Sequence, residues 1–259
     1  MYILSMKKIL LSLVLILTFS CSSKPQATGK TEAEALYKQA KQLLDDEYYN
    51  FALDKINQLR NEHPYSFYVT SAELLQADIM FAQEDYSSAT AAYLLFRDFH
   101  PKHEKIPYVL YQIGESYYKQ IPKGHDKDIQ SAHLSMKYFR DVVNRHPGSS
   151  YVKAAKEKIT DCYNRITEKE KYIADFYFKT KKFSAARWRY LNILEKFQND
   201  DLHNYAKKRV VESSFAMDDY QLCVEYAIKY KDEVSEDNKS EISSYIEKCQ
   251  NKISLNEKG

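Results

Sequence analysis

Three histidine–proline pairs are the residues of this sequence that most resemble metal ligands, since histidine binds transition metals more often than other side chains do. They close the segments Arg60–Pro64, Arg97–Pro101 and Asn144–Pro147. The prolines of the first two pairs lie 37 residues apart, an interval typical of a structural repeat. We therefore predict that the pairs mark helix ends, that the imidazoles meet terminal carbonyls, and that the histidines hold no metal.

Motifs for other chemistry are not found in the sequence. It contains no G-x-S-x-G nucleophile elbow, no glycine-rich phosphate loop and no H-E-x-x-H zinc motif. The close pair His100 and His103 alone is a weak metal signal, because a stable site needs further ligands at suitable spacing. We predict a protein that is not an enzyme and that has no cofactor and no metal.

Glycine and proline are scarce, with five and six in the whole chain. Neither occurs between Gly148 and Gly259, a stretch rich in lysine, glutamate and alanine. Turn-formers of this kind separate the strands of β proteins, so their absence over such a length predicts an all-α fold.

The 37-residue interval also relates small and aromatic residues. It connects Ala40 to Ala77 and Gly114, Tyr49 to Tyr86, and Ala52 to Ala89. This order of small, aromatic, small and proline is that of a tetratricopeptide (TPR) repeat, in which the small residues lie where two helices cross. We predict a TPR-type α-solenoid of about five helix–turn–helix repeats with a C-terminal capping helix. The expected ranges are 33–66, 70–103, 107–149, 167–200 and 204–236 for the repeats, about 239–254 for the capping helix, and a loop around 119–129.

The N-terminal segment has the features of an export signal. Lys7 and Lys8 precede a short apolar run that ends at the small residue Ser20 and at Cys21. We predict that residues 1–20 are a lipoprotein signal peptide, that Cys21 is acylated, and that residues 21–31 form a tether. Removing Lys7 and Lys8, and no acidic residue, brings the formal charge from +2 to zero, so nucleic-acid binding is not expected.

Three further cysteines follow Cys21, namely Cys162, Cys223 and Cys249. Their odd number and wide spacing do not form a disulfide framework. Burial as small apolar residues is the interpretation that we favour, and a single disulfide remains open.

Helical spacing from the small residue of each repeat predicts which side chains face a concave groove. Aromatic and apolar residues are frequent at these positions, which suits an extended peptide, and Lys41 or Lys119 could bind a terminal carboxylate. The alternative is a groove that closes on itself, with these residues as ordinary core. The predicted groove residues are Tyr37, Lys41, Leu44, Leu74, Asp78, Phe81, Tyr108, Tyr111, Glu115 and Tyr118.

The single tryptophan, Trp188, lies between Arg187 and Arg189 in the predicted fourth repeat. Two residues correspond to about 200° on a helix, so Trp188 should face away from the crossing at Ala186. We predict that Arg187, Trp188 and Arg189 form a partner interface, with packing on a neighbouring repeat as the alternative.

The middle of the sequence resembles the BamD family, the TPR lipoproteins of the β-barrel assembly machinery. The resemblance lies in the run Tyr111–Tyr118 with its following insert, and in "HPGSSYVKAAKEKI" leading to "EKEKYIADFYFKTKKFSAA". It implies a Gram-negative scaffold anchored by lipid to the periplasmic face of the outer membrane. In that family, the N-terminal repeats are expected to receive the aromatic-ended signals of unfolded outer-membrane proteins, and the C-terminal repeats to contact the barrel insertase BamA and other assembly subunits.

Two other interpretations are consistent with a lipid-anchored TPR protein. One is a pilotin-like lipoprotein that escorts a secretin or pilus subunit. The other is a cell-envelope factor that binds peptidoglycan or its synthases, in which case the aromatics would stack on sugars.

Overall fold

The computed structural model describes residues 31–124 and 127–257. Within these ranges the chain forms eleven α-helices and no strand, which confirms the predicted all-α fold. The chain divides into two compact units, Met1–Ala92 and Tyr93–Gly259. The predicted signal peptide, Cys21 and nearly all of the tether lie outside the described residues.

The first unit contains a helical hairpin and the beginning of a second. Its helices are α1 (Glu32–Asp45), α2 (Tyr49–Glu62), α3 (Tyr68–Ala82) and the first half of α4 (Tyr86–Phe99). Thr31 caps α1 by accepting a hydrogen bond from the Glu34 backbone N–H at 3.2 Å. The apolar stripes of α1, α2 and α3 enclose a core of Leu36, Ala40, Ala52, Ile56, Leu59, Ala72, Leu75 and Ile79.

The second unit continues the hairpin pattern. Its helices are the remainder of α4, α5 (Ile106–Lys119), α6 (Gln130–Arg145), α7 (Val152–Lys179), α8 (Phe183–Lys196), α9 (Asp200–Ala216), α10 (Tyr220–Tyr230) and α11 (Glu236–Asn256). The 28-residue helix α7 packs against both α6 and α8. The predicted insert is the connection between α5 and α6, and α11 is the predicted capping helix, packed on α10 and α9.

Small residues occupy the helix crossings, as the repeat pattern predicts. Ala40, Ala52, Ala174 and Ala186 have no exposed surface. Gly114 is the tightest case, because a Cβ atom built on it would lie 2.8 Å from the Phe139 ring. Larger side chains at these points would push the helix backbones apart.

Four turns within hairpins share a backbone feature. Glu47, Glu84, Lys181 and Asp218 each have φ between 58° and 64°, and each stands two residues before a helix that begins with Tyr or Phe. This left-handed conformation is unfavourable for residues with a Cβ. The sequence pattern identified the turns through their aromatics but gave no sign of the left-handed residue, because glycine is not used.

The histidines do lie at helix ends, but two of the imidazoles do not meet terminal carbonyls as we expected. The backbone N–H groups of His63 and His146 bind the carbonyls of Leu59 and Val142. Nε2 of each of these two histidines is buried without a hydrogen-bond partner among the described residues. The backbone therefore closes these helices, and the expectation for these two imidazoles was wrong.

Cys223 and Cys249 form a disulfide that joins α10 to α11, and Cys162 is a buried thiol. All three are fully buried, in agreement with the favoured interpretation, but that interpretation did not include the bond. The disulfide resolves the alternative that the sequence left open. It fixes the capping helix to the last hairpin.

No helix in the described part of the chain is both long enough and apolar enough to span a bilayer.

Candidate functional site

The first unit carries six of the predicted groove residues. Tyr37 is half-buried and its ring lies 5.7 Å from that of Tyr68, while Phe81 contacts Tyr86 edge to face at 5.3 Å. Burial, followed by the charge of Asp78, raises the pKa of Tyr37. Lys41 is exposed on the same helix as Tyr37. Aromatic surface and an available cation therefore occur together on α1 and α3.

The second unit carries the remaining four, all on α5. Tyr111 stacks on Tyr151 with ring centroids 5.2 Å apart and contacts Phe139 at 5.4 Å. Tyr108 contacts Tyr151 at 5.8 Å. These tyrosines are half-buried because the beginning of α7 packs beside them. Each of these rings therefore packs partly against neighbouring side chains and remains partly exposed.

Polar side chains of α7 complete the α5 surface. Lys158 Nζ lies 2.9 Å from Glu115 Oε1 and 3.8 Å from the centroid of the Tyr118 ring, a cation–π distance. The Tyr118 hydroxyl donates to Asp161 Oδ2 at 2.8 Å, and Arg165 Nε binds the same oxygen at 2.6 Å. We call Glu115, Tyr118, Lys158, Asp161 and Arg165 the α5–α7 network.

Burial and the charges of the α5–α7 network shift the pKa values of two side chains in opposite directions. Burial, followed by the negative charge of Glu115, raises the pKa of Tyr111 to about 12. Burial would raise the pKa of Asp161 as well, but hydrogen bonds from Arg165 and Tyr118 outweigh it and the pKa is lowered. Tyr111 therefore stays a neutral donor and Asp161 an anion, and neither has the poised acidity that acid–base catalysis requires near neutral pH.

Two predicted groove residues are buried rather than presented. Leu74 is 3% exposed and Glu115 is 8% exposed. Glu115 accepts hydrogen bonds from Tyr111 and from Lys158, so its charge is already balanced. The prediction that these two side chains face an open groove was wrong. For them the alternative of ordinary packing holds.

Trp188 is 58% exposed on α8, as its helical spacing predicts. It borders an open depression of about 720 Å³ at the α7–α8 turn, lined by Lys181, Lys182, Phe183, Ser184, Ala185, Trp188 and Met217. Arg189 lies over the Trp188 ring at 5.2 Å and pairs with Glu170 at 3.4 Å. The depression is thus lined by two aromatic rings and two lysines.

Arg187 has a different environment from its neighbours. Its guanidinium binds Asp219 Oδ2 at 2.8 Å and Ser214 Oγ at 3.1 Å, and only 17% of the side chain is exposed. It therefore ties α8 to the α9–α10 turn. The Arg187 side chain packs on the following repeat, which is the alternative that the sequence left open for this segment.

Carboxylates and a histidine meet at one end of the first hairpin. Potential ligand atoms of Glu32, Glu62 and His63 lie within 4.8 Å of one another, and both glutamates are exposed. The repeat pattern did not predict this grouping, because it joins the start of α1 to the end of α2. Exposed carboxylates at helix ends commonly meet in this way without an ion, so we assign no metal site to them.

The α7 side chains of the α5–α7 network were not predicted from the sequence. Lys158, Asp161 and Arg165 follow helical spacing along one face, which was the available signal. Their partners, however, lie more than 40 residues earlier in the chain. Because of this separation in sequence, the pairing cannot be recognised until the packing of α7 on α5 is known.

Helical hairpins with small residues at their crossings define the chain as a TPR-type helical-repeat protein. A family model described as "YfiO: Outer membrane lipoprotein" matches residues 30–218. The outer membrane protein assembly factor BamD of Rickettsia prowazekii is 30% identical over 195 residues, which cover 74% of this chain and 77% of that protein. The BamD of Vibrio cholerae is 27% identical over 186 residues, 67% and 76% of the two chains.

Among solved structures, the yeast Sti1 TPR2AB–pHSP90 complex aligns with a TM-score of 0.43 and 12% identity over 86% of this chain and 100% of that one. The sequence comparisons decide the family. This chain belongs to the YfiO family of outer membrane lipoproteins.

Proposed function

We propose that this protein is a lipid-anchored, non-enzymatic scaffold subunit of the outer-membrane β-barrel assembly complex. The observation that carries the proposal is the family match over residues 30–218, together with relatives named outer membrane protein assembly factor BamD. Acylation of Cys21 would hold the chain at the periplasmic face of the outer membrane, and more than one acyl chain gives stable anchoring.

The residues proposed for client binding are aromatic side chains of α1 and α3 in the first unit and, as a separate surface, of α5 in the second unit. Tyr37, Phe81, Tyr108, Tyr111 and Tyr118 are half-buried, so each ring is fixed by its neighbours and still offers an accessible edge. Fixed aromatic edges bind extended peptides with little loss of side-chain entropy. Lys41 and Lys119 are exposed cations that suit the terminal carboxylate of an unfolded barrel protein.

The proposed partner surface is the depression beside Trp188. A large exposed ring next to a concave apolar surface is the type of side chain that dominates protein interfaces. Lys181 and Lys182, which line the depression, favour an acidic partner segment. We assign this surface to a BamA-like insertase, with Arg189 holding the indole from one side.

Photo-crosslinking in cells tests both surfaces at once. A photoreactive amino acid at position 81 should capture unfolded outer-membrane proteins, and one at position 188 should capture the insertase. Capture of a secretin or of a peptidoglycan synthase at both positions, with no barrel precursor, would contradict the proposal. Mass spectrometry of the mature N-terminus tests acylation of Cys21 separately.

A further inference from the structure

The loop between α2 and α3 exposes two aromatic side chains to solvent. Tyr65 is fully exposed and Phe67 is 88% exposed, more than any other large apolar side chains among the described residues. We name residues 63–67 the aromatic loop. Aromatic residues grouped at such exposure usually mark an interaction site, because water penalises their apolar surface.

The aromatic loop is held in shape by its own hydrogen bonds. The Ser66 N–H donates to the His63 carbonyl at 3.0 Å, and the Tyr68 N–H donates to Ser66 Oγ at 3.2 Å. Pro64 further restricts the backbone. Phe67 contacts the Tyr68 ring edge to face at 5.9 Å. The two outer rings are therefore presented outward by an ordered turn that continues into the packed aromatics of the hairpin.

The position of this loop relative to the start of α1 suggests what covers it. Glu32, the first residue of α1, lies at the same end of the hairpin as the loop, with Oε2 3.6 Å from His63 Nε2. The N-terminus of α1 therefore lies beside the aromatic loop. The segment from Cys21 to Glu32 spans at most roughly 40 Å even when fully extended. An anchor at Cys21 would hold this end of the hairpin close to the bilayer.

We infer that the aromatic loop inserts Tyr65 and Phe67 into the membrane–water interface next to the lipid anchor. The inference rests on the proposed acylation of Cys21, which supplies the tethering. Phenyl and phenol rings favour this interface, where an apolar body meets lipid and a hydroxyl meets water. Because a short tether keeps the loop close to the bilayer, the effective concentration of the loop at the membrane surface is high. Two inserted rings are then enough for a stable contact.

Charge attraction does not explain such a contact. Exposed Glu32 and Glu62 lie at the same end of the hairpin, and Arg60 is the nearest cation in α2. The described residues at this end therefore carry no net positive charge and offer no net attraction to anionic lipid, and the adjoining tether contains the cations Lys24 and Lys30. Insertion should therefore persist at high salt, which would abolish an electrostatic contact.

Single-tryptophan fluorescence tests the inference on the full lipoprotein. In a Trp188→Phe background, Phe67→Trp places the reporter in the loop. Phe51→Trp is the matched control, since Phe51 is 63% exposed near the other end of α2, roughly 20 Å away. Both proteins are reconstituted into phosphatidylethanolamine–phosphatidylglycerol vesicles, with and without brominated lipid. Vesicle flotation reports the anchor independently.

We expect the loop reporter to shift to shorter wavelength and to lose at least half of its emission to brominated lipid, at low and high salt. The control reporter should behave as in buffer. A floating protein whose loop reporter stays in water would overturn the inference and leave the anchor intact. Equal quenching of both reporters, or a shift without vesicles that grows with protein concentration, would overturn it in favour of non-specific adsorption or self-association. Failure to float would remove the anchor and the inference together.

Discussion

At the residue scale, Asp175 on α7 is the best-connected carboxylate of the second unit. Its Oδ1 accepts hydrogen bonds from the hydroxyls of Tyr190 at 2.6 Å and Tyr205 at 2.7 Å, and its Oδ2 pairs with Lys171 at 3.1 Å. Burial would raise its pKa, but these bonds outweigh burial and the pKa is lowered. One carboxylate thereby joins α7, α8 and α9.

We predict that Asp175→Asn destabilises the protein by about 1–3 kcal/mol near neutral pH, the range for hydrogen bonds to a charged group. A carboxyl whose pKa is lowered on folding stabilises the fold above its unfolded pKa of about 4, and this contribution is lost as pH falls through the folded pKa. The gap between wild type and variant in urea unfolding should be full above pH 4 and shrink below it.

Asp54→Asn is the control for that measurement. Asp54 is exposed and makes no ion pair within the described residues, so its removal should change stability little at any pH. A constant gap for Asp175→Asn from neutral to acid pH would show that packing, and not charge, carries its effect.

At the element scale, the crossing of α5 and α6 depends on the absence of one side chain. Gly114 faces the fully buried ring of Phe139, and its carbonyl accepts a hydrogen bond from Ser135 Oγ at 2.9 Å. A methyl group there would force the ring or a helix to move, at a cost of roughly 1–3 kcal/mol for overpacking.

We therefore expect Gly114→Ala to lower the free energy of unfolding despite the better helix propensity of alanine. Gly148→Ala is the matched control, because no atom lies within 4 Å of its added Cβ. Adding Phe139→Leu to Gly114→Ala should recover part of the loss if the ring is the obstacle. The melting temperatures of the wild type, the two alanine variants and the double variant measure these effects. Equal melting temperatures for the two alanine variants would refute the overpacking explanation.

The capping helix is a second element whose stability has an identifiable source. The disulfide between Cys223 and Cys249 closes a loop with a sequence separation of 26 residues, which by the chain-entropy relation is worth about 3–4 kcal/mol. We predict that Cys249→Ser, or reduction, exposes α11 to hydrogen exchange before the other helices. Exchange measured by mass spectrometry would contradict this if α11 and α8 lost protection together.

The helices themselves were predictable from sequence because their signals are local. The small and aromatic residues recur at a fixed interval, and the role of each one is set by contacts within its own hairpin. The environments of individual side chains could not be predicted from sequence in the same way. Arg187 and Trp188 are adjacent, yet one binds Asp219 and the other faces solvent, which depends on how α8 packs on the next hairpin.

At the scale of the whole molecule, the function that we propose divides between client binding and partner binding. The residues proposed for the client lie on α1, α3 and α5, and Trp188 lies on α8. Substitutions should accordingly affect one activity at a time. Tyr111 is unsuitable for this purpose. Tyr111→Asp would place a second negative charge beside the buried carboxylate of Glu115 and would therefore destabilise the fold as well as the binding surface.

Phe81→Ala should weaken binding of a peptide from the C-terminus of a barrel protein by about tenfold, the effect of losing an interface side chain worth roughly 1.4 kcal/mol. Phe81 is half-buried, so helicity should be retained. Phe51→Ala removes a more exposed phenylalanine ring from α2, outside the proposed client residues, and serves as the control. Fluorescence anisotropy with a labelled peptide gives both affinities, and equal affinities would remove Phe81 from the residues proposed for client binding.

The left-handed residues in the four turns imply an unused reserve of thermostability. Replacing Glu47, Glu84, Lys181 and Asp218 with glycine relieves a conformational cost of about 1 kcal/mol at each turn, less the entropy that glycine gains in the unfolded chain. Neighbouring turns are in contact, since Gln83 Nε2 donates to Asn50 Oδ1 at 3.2 Å, so the four effects need not be strictly additive. A quadruple variant should melt several degrees higher than the parent. It loses Lys181 from the depression beside Trp188 but keeps the residues proposed for client binding, and would therefore suit crystallisation with a bound client peptide.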